Sequence, residues 1–286
     1  MTVVIGCDSF LSLRNVRNGE LGRRLSGQRV VVMVAPDQYA GSAQVVPEGV
    51  EIERLLDFEV ERDPALARLM DRAYLARKAY YDPRTMWEKL QWSSAHSFSD
   101  QPLRLRASLL KARARFNYYR LMGRLGYAQR WRRALAAALQ EQPVVAQYVE
   151  RLRALDAKVV VAFSLEGPRE KALIEAARKL NLKTVVMIRS RDNLAAKIQH
   201  LPDADAYLVW ADMTRDFLRK LYPEIPAERI HVTGTPQFDH HFDPARRLSR
   251  EAFFAQIGLD PTRPLIVYTC ATPGLIRHEI EIVQQL

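Results

Sequence analysis

The run Val-Val-Val-Ala-Phe (159–163) opens the part of the chain that decides the fold, which extends from residue 158 to residue 239. It is continuous and β-branched, as expected of a strand that is buried on both faces. Similar short apolar runs follow at 184–188, 206–210 and 229–232. Helical patterns lie among them at 170–180 and 214–221. Since each strand is followed by a polar, loop-forming cluster, the pattern predicts a parallel α/β sheet that binds ligands outside the carboxyl ends of its strands.

The N-terminal part of the chain predicts the other half of the same sheet. Apolar runs favour strands at 3–7, 29–35 and 50–52, with a helix at 15–25 between the first two. Gly27 lies close to the end of that helix. A helix-rich segment at about 64–139 then interrupts the β/α rhythm. We therefore expect residues 1–243 to form a Rossmann-like domain with a helical insertion.

A second domain begins near Pro244. Ser249 is a suitable N-cap for a helix at 249–257, and Gly258 fits its C-terminal turn. A buried strand is predicted at 265–269, followed by a helix at 276–286. The fold class predicted for the whole chain is therefore α/β, and residues 244–286 supply only the first β/α unit of a second Rossmann-like domain.

Composition indicates a globular protein of the cytoplasm. The 286 residues are 48% hydrophobic and 27% charged, and no apolar run approaches the roughly 20 residues that cross a bilayer. The first residues form a strand pattern without a basic leader, so no signal peptide is expected. Cys7 and Cys270 make no disulfide framework, which favours a reducing compartment.

The net charge of +10 favours an anionic partner, and the charge is concentrated in one segment. Residues 104–133 contain many basic side chains interleaved with aromatic ones and no acidic residue. The candidates for contact with a membrane or another anion are Arg113, Arg120, Arg124 and Arg130. Three interpretations stay open, in this order: a solvated helix with its aromatic residues in the core, an anionic membrane surface, and single-stranded nucleic acid. Nucleic acid ranks last because no recognisable binding module is present.

Three blocks of sequence carry a family resemblance. They are Ser-Arg-Asp-Asn-Leu-Ala-Ala-Lys (190–197), Tyr-Leu-Val-Trp (207–210) and Arg-Ile-His-Val-Thr-Gly-Thr-Pro-Gln-Phe-Asp (229–239). In order and spacing they resemble GT-B glycosyltransferases, in the neighbourhood of CDP-glycerol glycerophosphotransferases and UDP-N-acetylglucosamine 2-epimerases. Arg191 departs from the pattern, which usually has Trp there, and under this resemblance residues 244–286 are expected to correspond only to the start of the second domain.

The resemblance implies that the first domain binds the acceptor and the second binds the donor. The expected function is the transfer of a sugar or glycerol-phosphate from a nucleotide-sugar or CDP-linked donor to a cell-surface glycan or lipid-linked acceptor, at the inner face of the membrane. The donor is a substrate, and no tightly bound cofactor is expected. The alternatives are a nucleotide-sugar 2-epimerase and a non-catalytic basic protein that binds a membrane or nucleic acid.

Two acids are candidates for the catalytic base. Asp8 and Glu166 each follow a predicted strand, where a carboxylate with a raised pKa can take the proton of an acceptor hydroxyl. The alternative for both is a solvated loop acid without a role.

The candidate substrate-binding residues lie in two loops. Ser190, Asp192, Asn193 and Lys197 follow the strand at 184–188, and the alternative role for Asp192 and Asn193 is helix capping. Gly234, Thr235, Gln237 and Asp239 follow the strand at 229–232, and the alternative there is a domain-closing turn without ligand contact.

The last candidates concern phosphate and metal. Thr269, Thr272 and Gly274 resemble the first loop of a donor domain, where backbone N–H groups at a helix N-terminus bind phosphate. The adjacent His240 and His241 lack further ligands at zinc spacing, so we expect a linker there and no metal.

Overall fold

The computed structural model describes residues 1–18, 24–25, 27–39, 46, 49–60, 63–98, 100–163, 165, 167–269 and 279–285. The chain divides into two compact units, Met1–His240 and His241–Leu286. Their assignment to acceptor and donor domains stays a prediction.

The first unit is built on a seven-stranded sheet in which every neighbouring pair of strands is parallel. In chain order the strands are β1 (Thr2–Cys7), β2 (Arg29–Val34), β3 (Glu51–Arg54), β4 (Ala157–Ala162), β5 (Lys183–Ile188), β6 (Ala206–Val209) and β7 (Ile230–Val232). Their spatial order is β3-β2-β1-β4-β5-β6-β7. The predicted α/β, Rossmann-like architecture is therefore confirmed.

The α-helices described in the first unit flank the sheet and form the insertion, and the last two belong to the second unit. They are α1 (Phe10–Asn18), α2 (Pro64–Tyr81), α3 (Pro83–Phe98), α4 (Pro102–Arg124), α5 (Tyr127–Gln140), α6 (Pro143–Ala154), α7 (Pro168–Lys179), α8 (Asp212–Leu221), α9 (Arg250–Ile257) and α10 (Glu279–Val283). Of these, α2 to α5 confirm the helix-rich segment predicted at about 64–139.

The sheet is buried on both faces because its strands alternate their side chains between two apolar clusters. Val4 of β1 joins a large cluster with residues of α6, α7 and α8. Val3 and Ile5 point to the other face, where they pack with Leu13 and Val16 of α1. Burial on both faces explains why central strands such as β1 are apolar, whereas the edge strand β3 carries Glu51, Glu53 and Arg54.

Helix α1 begins earlier than the sequence pattern predicted. It starts at Phe10 and not at residue 15, because Ser9 acts as its cap: Ser9 Oγ accepts a hydrogen bond from the backbone N–H of Ser12 at 3.2 Å. This places the N-terminus of α1 directly after Asp8 and Ser9, at the carboxyl end of β1.

The insertion packs tightly where α4 crosses α2. A Cβ built on Gly123 would lie 2.4 Å from Cβ of Tyr80 and 2.6 Å from the carbonyl oxygen of Ala76, closer than real atoms approach. Glycine at this position therefore permits the two helix backbones to meet.

The second unit confirms one prediction and corrects another. Ser249 Oγ accepts from the N–H of Ala252 at 3.1 Å, and Gly258 adopts φ +68°, as expected for the two ends of α9. The buried strand predicted at 265–269 is wrong: these residues form no strand, and Ile266 is 91% exposed. A strand needs a neighbour for its backbone groups, and no described residue of this unit provides one.

Candidate functional site

The chain changes direction in the sheet between β1 and β4. It places β2 and β3 on one side of β1 and then returns to place β4 on the other side. Such a switch point opens a crevice outside the carboxyl ends of the two strands, and open α/β sheets bind their ligands there. Asp8 directly follows β1, and Arg169 lies in the first turn of α7, which follows β4. We therefore take this crevice as the candidate site.

Asp8 and Arg169 form an ion pair at this point. Arg169 Nη1 donates to Asp8 Oδ1 at 2.9 Å, and Arg169 Nη2 donates to Asp57 Oδ1 at 3.3 Å. The Asp8 side chain is 2% exposed, whereas that of Asp57 is 69% exposed. Arg169 thus connects a buried carboxylate to an exposed one.

The second oxygen of the Asp8 carboxylate is not used. Asp8 Oδ2 is buried and has no hydrogen-bond partner among the described residues. A Cβ on Gly167 would lie 1.8 Å from this oxygen, so glycine allows the turn before α7 to lie against the carboxylate. Burial raises the pKa of Asp8 although the hydrogen bond and charge of Arg169 act to lower it. Asp8 therefore combines a raised pKa with a spare acceptor atom.

Glu170 ties the exits of β1 and β4 together. Its Oε1 accepts from the backbone N–H groups of Phe163 at 3.2 Å and Asp8 at 3.3 Å, and its Oε2 accepts from that of Leu165 at 2.6 Å. The residue is fully buried, and burial raises the pKa of its carboxyl group, while the N–H of Leu165 acts most strongly against that rise. Glu170 thereby fixes the backbone that presents Asp8.

Sequence reasoning selected Asp8 and missed its supports. Glu166, the other predicted base, lies outside the described residues. Glu170 occupies the third position of α7 after Gly167 and Pro168, a pattern typical of an acid that turns back to N–H groups before the helix. That pattern was the available signal for Glu170, whereas the pairing of Arg169 with Asp8 depends on tertiary structure.

The four predicted substrate-binding residues of the loop after β5 contact one another in two pairs. Ser190 Oγ donates to Asn193 Oδ1 at 2.8 Å, and Asn193 is buried. Lys197 Nζ lies 2.9 Å from Asp192 Oδ2, with both side chains about half exposed. Asp192 makes no capping hydrogen bond, and residues 193–197 form a single π-helical turn, a feature frequent at functional sites. A ligand of Lys197 would compete with Asp192.

The loop after β7 reaches the side of the sheet that carries α1. Gly234 adopts φ +74°, and a Cβ built there would meet nothing within 4 Å, so glycine is needed for its backbone conformation and not for space. Gln237 Oε1 accepts a long hydrogen bond of 3.5 Å from Arg14 Nη2 of α1. Thr235 Oγ1 is buried and has no hydrogen-bond partner in the described part of the chain, and Asp239 is partly buried. The predicted residues thus lie at the exits of β1, β5 and β7, along one edge of the sheet.

The remaining candidates lie elsewhere. Thr269 belongs to the second unit and is exposed, and Thr272 and Gly274 lie outside the described residues. The arginines Arg113, Arg120 and Arg124 are exposed on α4, and Arg130 is exposed on α5. No group of three or more His, Cys, Asp or Glu side chains within the described ranges is arranged to hold a metal ion. None of the described helices combines the length and apolar character that crossing a bilayer requires.

Comparison with models of known protein families gives no match, and comparison with curated proteins gives none either. The Rossmann-like architecture rests on the parallel seven-stranded sheet.

Proposed function

We propose that this chain is the acceptor-binding part of a GT-B-like transferase, which moves a sugar or glycerol-phosphate from a nucleotide donor to a hydroxyl of a glycan or lipid-linked acceptor. The observation that supports the proposal most is Asp8: a buried carboxylate with a raised pKa and a spare oxygen, at the topological switch point of the sheet. The resemblance of the blocks at 190–197, 207–210 and 229–239 supports the choice of reaction class.

The reaction balances without a redox cofactor. With a nucleotide sugar, the acceptor oxygen attacks the anomeric carbon, the bond from that carbon to the diphosphate breaks, and a nucleoside diphosphate leaves. With CDP-glycerol, the same oxygen attacks the glycerol-bound phosphorus and CMP leaves. In both cases the hydroxyl proton passes to Asp8 Oδ2. A carboxylate whose pKa is raised toward neutrality suits this step, and Arg169 orients it.

The proposal requires the turn at Gly167 to move when the acceptor binds. The Asp8 side chain is 2% exposed, and Gly167 lies against Oδ2. A hydroxyl therefore reaches this oxygen only after the turn gives way, which would also keep water from the base before substrate arrives.

Donor binding and turnover test the proposal directly. The full chain is incubated with UDP, CDP, UDP-N-acetylglucosamine and CDP-glycerol, and its thermal unfolding is recorded. A ligand at about 100 times its dissociation constant adds about 2.7 kcal/mol of stability. Release of UDP or CMP in the presence of a detergent-solubilised lipid-linked glycan then measures transfer. If no donor binds or is consumed, this chain is at most the acceptor-binding half; if it also fails to bind the lipid-linked glycan, the transferase proposal is wrong.

The role of Asp8 is tested with a matched pair of variants. Asp8→Asn removes the base and is expected to lower turnover about 10²- to 10⁴-fold while donor binding persists. Asp57→Asn removes the other carboxylate partner of Arg169, which is exposed, and should leave turnover nearly unchanged. Equal losses in the two variants would mean that Asp8 serves only to hold Arg169.

Gly167→Ala probes the same oxygen without a change of charge. Gly167 has φ −80°, which alanine adopts freely, so the added methyl acts only by its contact with Asp8 Oδ2. We expect it to lower turnover and to shift the pH dependence of turnover, because the carboxylate must move. An unchanged pH profile would contradict the assignment of Asp8 as base.

A further inference from the structure

Helix α4 has apolar side chains on the face that points to solvent. Along its 23 residues, the inward face packs Phe116 and Tyr119 against Tyr74 and Met86, and Ser108 bonds to Ser94 of α3. An ordinary surface helix carries polar residues on the opposite face. Here the outward positions recur at spacings of three and four, and we call them the outer stripe: Leu103, Ala107, Leu110, Ala114, Tyr118, Leu121 and Leu125.

The outer stripe is exposed in full. Leu103 is 79% exposed, Leu110 71% and Leu121 52%, and the two alanines are exposed as well. A row of leucines on one helix face, about 35 Å long, is unusual for the free surface of a monomer and marks a surface that meets an apolar phase.

Basic side chains border the outer stripe on both sides. One border carries exposed arginines at seven- and four-residue spacings: Arg106, Arg113, Arg120 and Arg124. The other carries Arg104, Lys111 and Arg115, of which Arg115 lies 3.9 Å from Asp71 of α2. No acidic residue occurs between residues 104 and 133. An apolar stripe between two cationic borders has the composition of a helix that lies in the plane of an anionic bilayer surface.

We propose that α4 docks the protein on an anionic phospholipid bilayer, with the outer stripe among the acyl chains and the bordering arginines at the phosphates. The positive charge along both borders favours an anionic bilayer over a second copy of the chain. A second copy of the chain would bring its own cationic borders to the contact, and such like-charge contacts are costly. The outer stripe is continuous and apolar, whereas single-stranded nucleic acid is held by separate aromatic platforms on which its bases stack. The inference does not depend on the transferase activity.

Vesicle flotation of the full chain tests this inference. One set of vesicles contains phosphatidylcholine alone, and the other contains phosphatidylcholine mixed with phosphatidylglycerol. We expect binding to the second set only, weakened by salt because the arginine contribution is screened. Equal binding to both sets, or to neither, overturns the proposal.

Two groups of variants separate the apolar and the cationic contributions. Leu110→Gln with Leu121→Gln keeps helix propensity and should weaken vesicle binding at least about tenfold at any salt concentration. Arg113→Gln, Arg120→Gln and Arg124→Gln together should weaken it about a hundredfold at low salt, or about fivefold for each charge, and should reduce the salt dependence.

Matched controls use exposed residues that do not belong to the sequence of α4. Leu248→Gln with Leu259→Gln replaces two leucines of similar exposure, and Arg153→Gln, Arg219→Gln and Arg263→Gln removes the same charge. The proposal is overturned if these controls lose as much binding as the α4 variants. It is also overturned if light scattering shows a dimer that only the leucine variants dissociate, or if an oligonucleotide binds the chain and anionic vesicles do not.

Discussion

Charged residues usually lie at the surface of a protein and apolar residues inside it. The β1/β4 crevice and the outer stripe of α4 depart from this distribution in opposite ways. In the crevice, Asp8 and Glu170 are charged groups inside the protein, each held by hydrogen bonds. On α4, Leu110 and Leu121 are apolar groups outside it, without cover. A buried carboxylate must be compensated by its partners, or the fold fails. An exposed leucine costs the fold almost nothing, so its reason lies in what the surface meets. Mutation should therefore affect stability strongly in the crevice and hardly at all on the outer stripe.

The largest expected effect is at Glu170. Glu170→Ala leaves the backbone N–H groups of Asp8, Phe163 and Leu165 without their acceptor in a buried place, and should reduce the free energy of unfolding by about 3–5 kcal/mol. Glu170→Gln keeps one acceptor oxygen and should cost less. Urea unfolding at neutral pH measures both. A loss below about 1 kcal/mol for the alanine variant would show that water replaces the carboxylate. Mutations in the crevice and on the outer stripe would then have similar effects on stability, and the comparison would fail.

The next largest loss of stability is expected at Gly123, which lies on the buried side of α4, opposite the outer stripe. Gly123→Ala forces a methyl into the contact with Tyr80 and Ala76, and should cost about 1–3 kcal/mol by overpacking.

Gly126→Ala serves as the control for that variant. Gly126 precedes α5 with φ +81° and has nothing within 4 Å of its Cβ position, so alanine meets only a backbone penalty of about 1–2 kcal/mol. The steric and conformational causes separate when Tyr80→Gly is added, because removal of Cβ of Tyr80 should relieve part of the cost of Gly123→Ala and leave that of Gly126→Ala unchanged. Equal relief would contradict a close helix contact.

A smaller, pH-dependent contribution to the free energy of unfolding is expected from His200, which is buried. Burial lowers the pKa of His200 well below 6.5, and the positive charges of Arg132, Lys171, Arg77 and Arg178 act in the same direction. As the pH falls below 6.5, the unfolded chain takes up a proton at this position and the folded chain does not. Stability therefore decreases from pH 6.5 downward to the folded-state pKa, by at most about 1.4 kcal/mol per pH unit.

His200→Gln removes this contribution and gives the control for it. Glu170 and Glu175 have raised pKa values, so protonation favours their folded forms as the pH falls and opposes the histidine. The difference between the wild type and the variant cancels these acids. We measure the free energy of unfolding at pH 7.5, 6.5 and 5.5, and expect that of the wild type to fall relative to that of the variant as the pH is lowered. Parallel curves would show that the pKa of His200 is the same in the folded and the unfolded chain.

The contrast also explains which features the sequence could predict. The central strands were predictable because burial on both faces makes each an apolar run, and the position of Asp8 followed from the end of β1. The bonds that Glu170 and Arg169 make to Asp8 were not, since each joins groups that are far apart in the chain. The outer stripe was missed for a different reason: α4 has apolar residues on two opposite faces, so no single amphipathic direction stands out. The strand expected at 265–269 failed because an apolar run forms a strand only beside another strand.

The smallest expected change in stability is on the outer stripe, and a large change there would contradict the comparison most directly. Leu110→Gln with Leu121→Gln exchanges residues of similar helix propensity at exposed positions, so the free energy of unfolding in the absence of lipid should change by less than about 0.5 kcal/mol. Urea unfolding of the variant and the wild type in the same buffer measures this. A loss above about 1 kcal/mol would mean that the leucines are covered in solution, by another part of the chain or by a second copy, and that they belong to the folded core after all. An unchanged stability, together with lost vesicle binding, would leave the bilayer as the environment for which these side chains are placed.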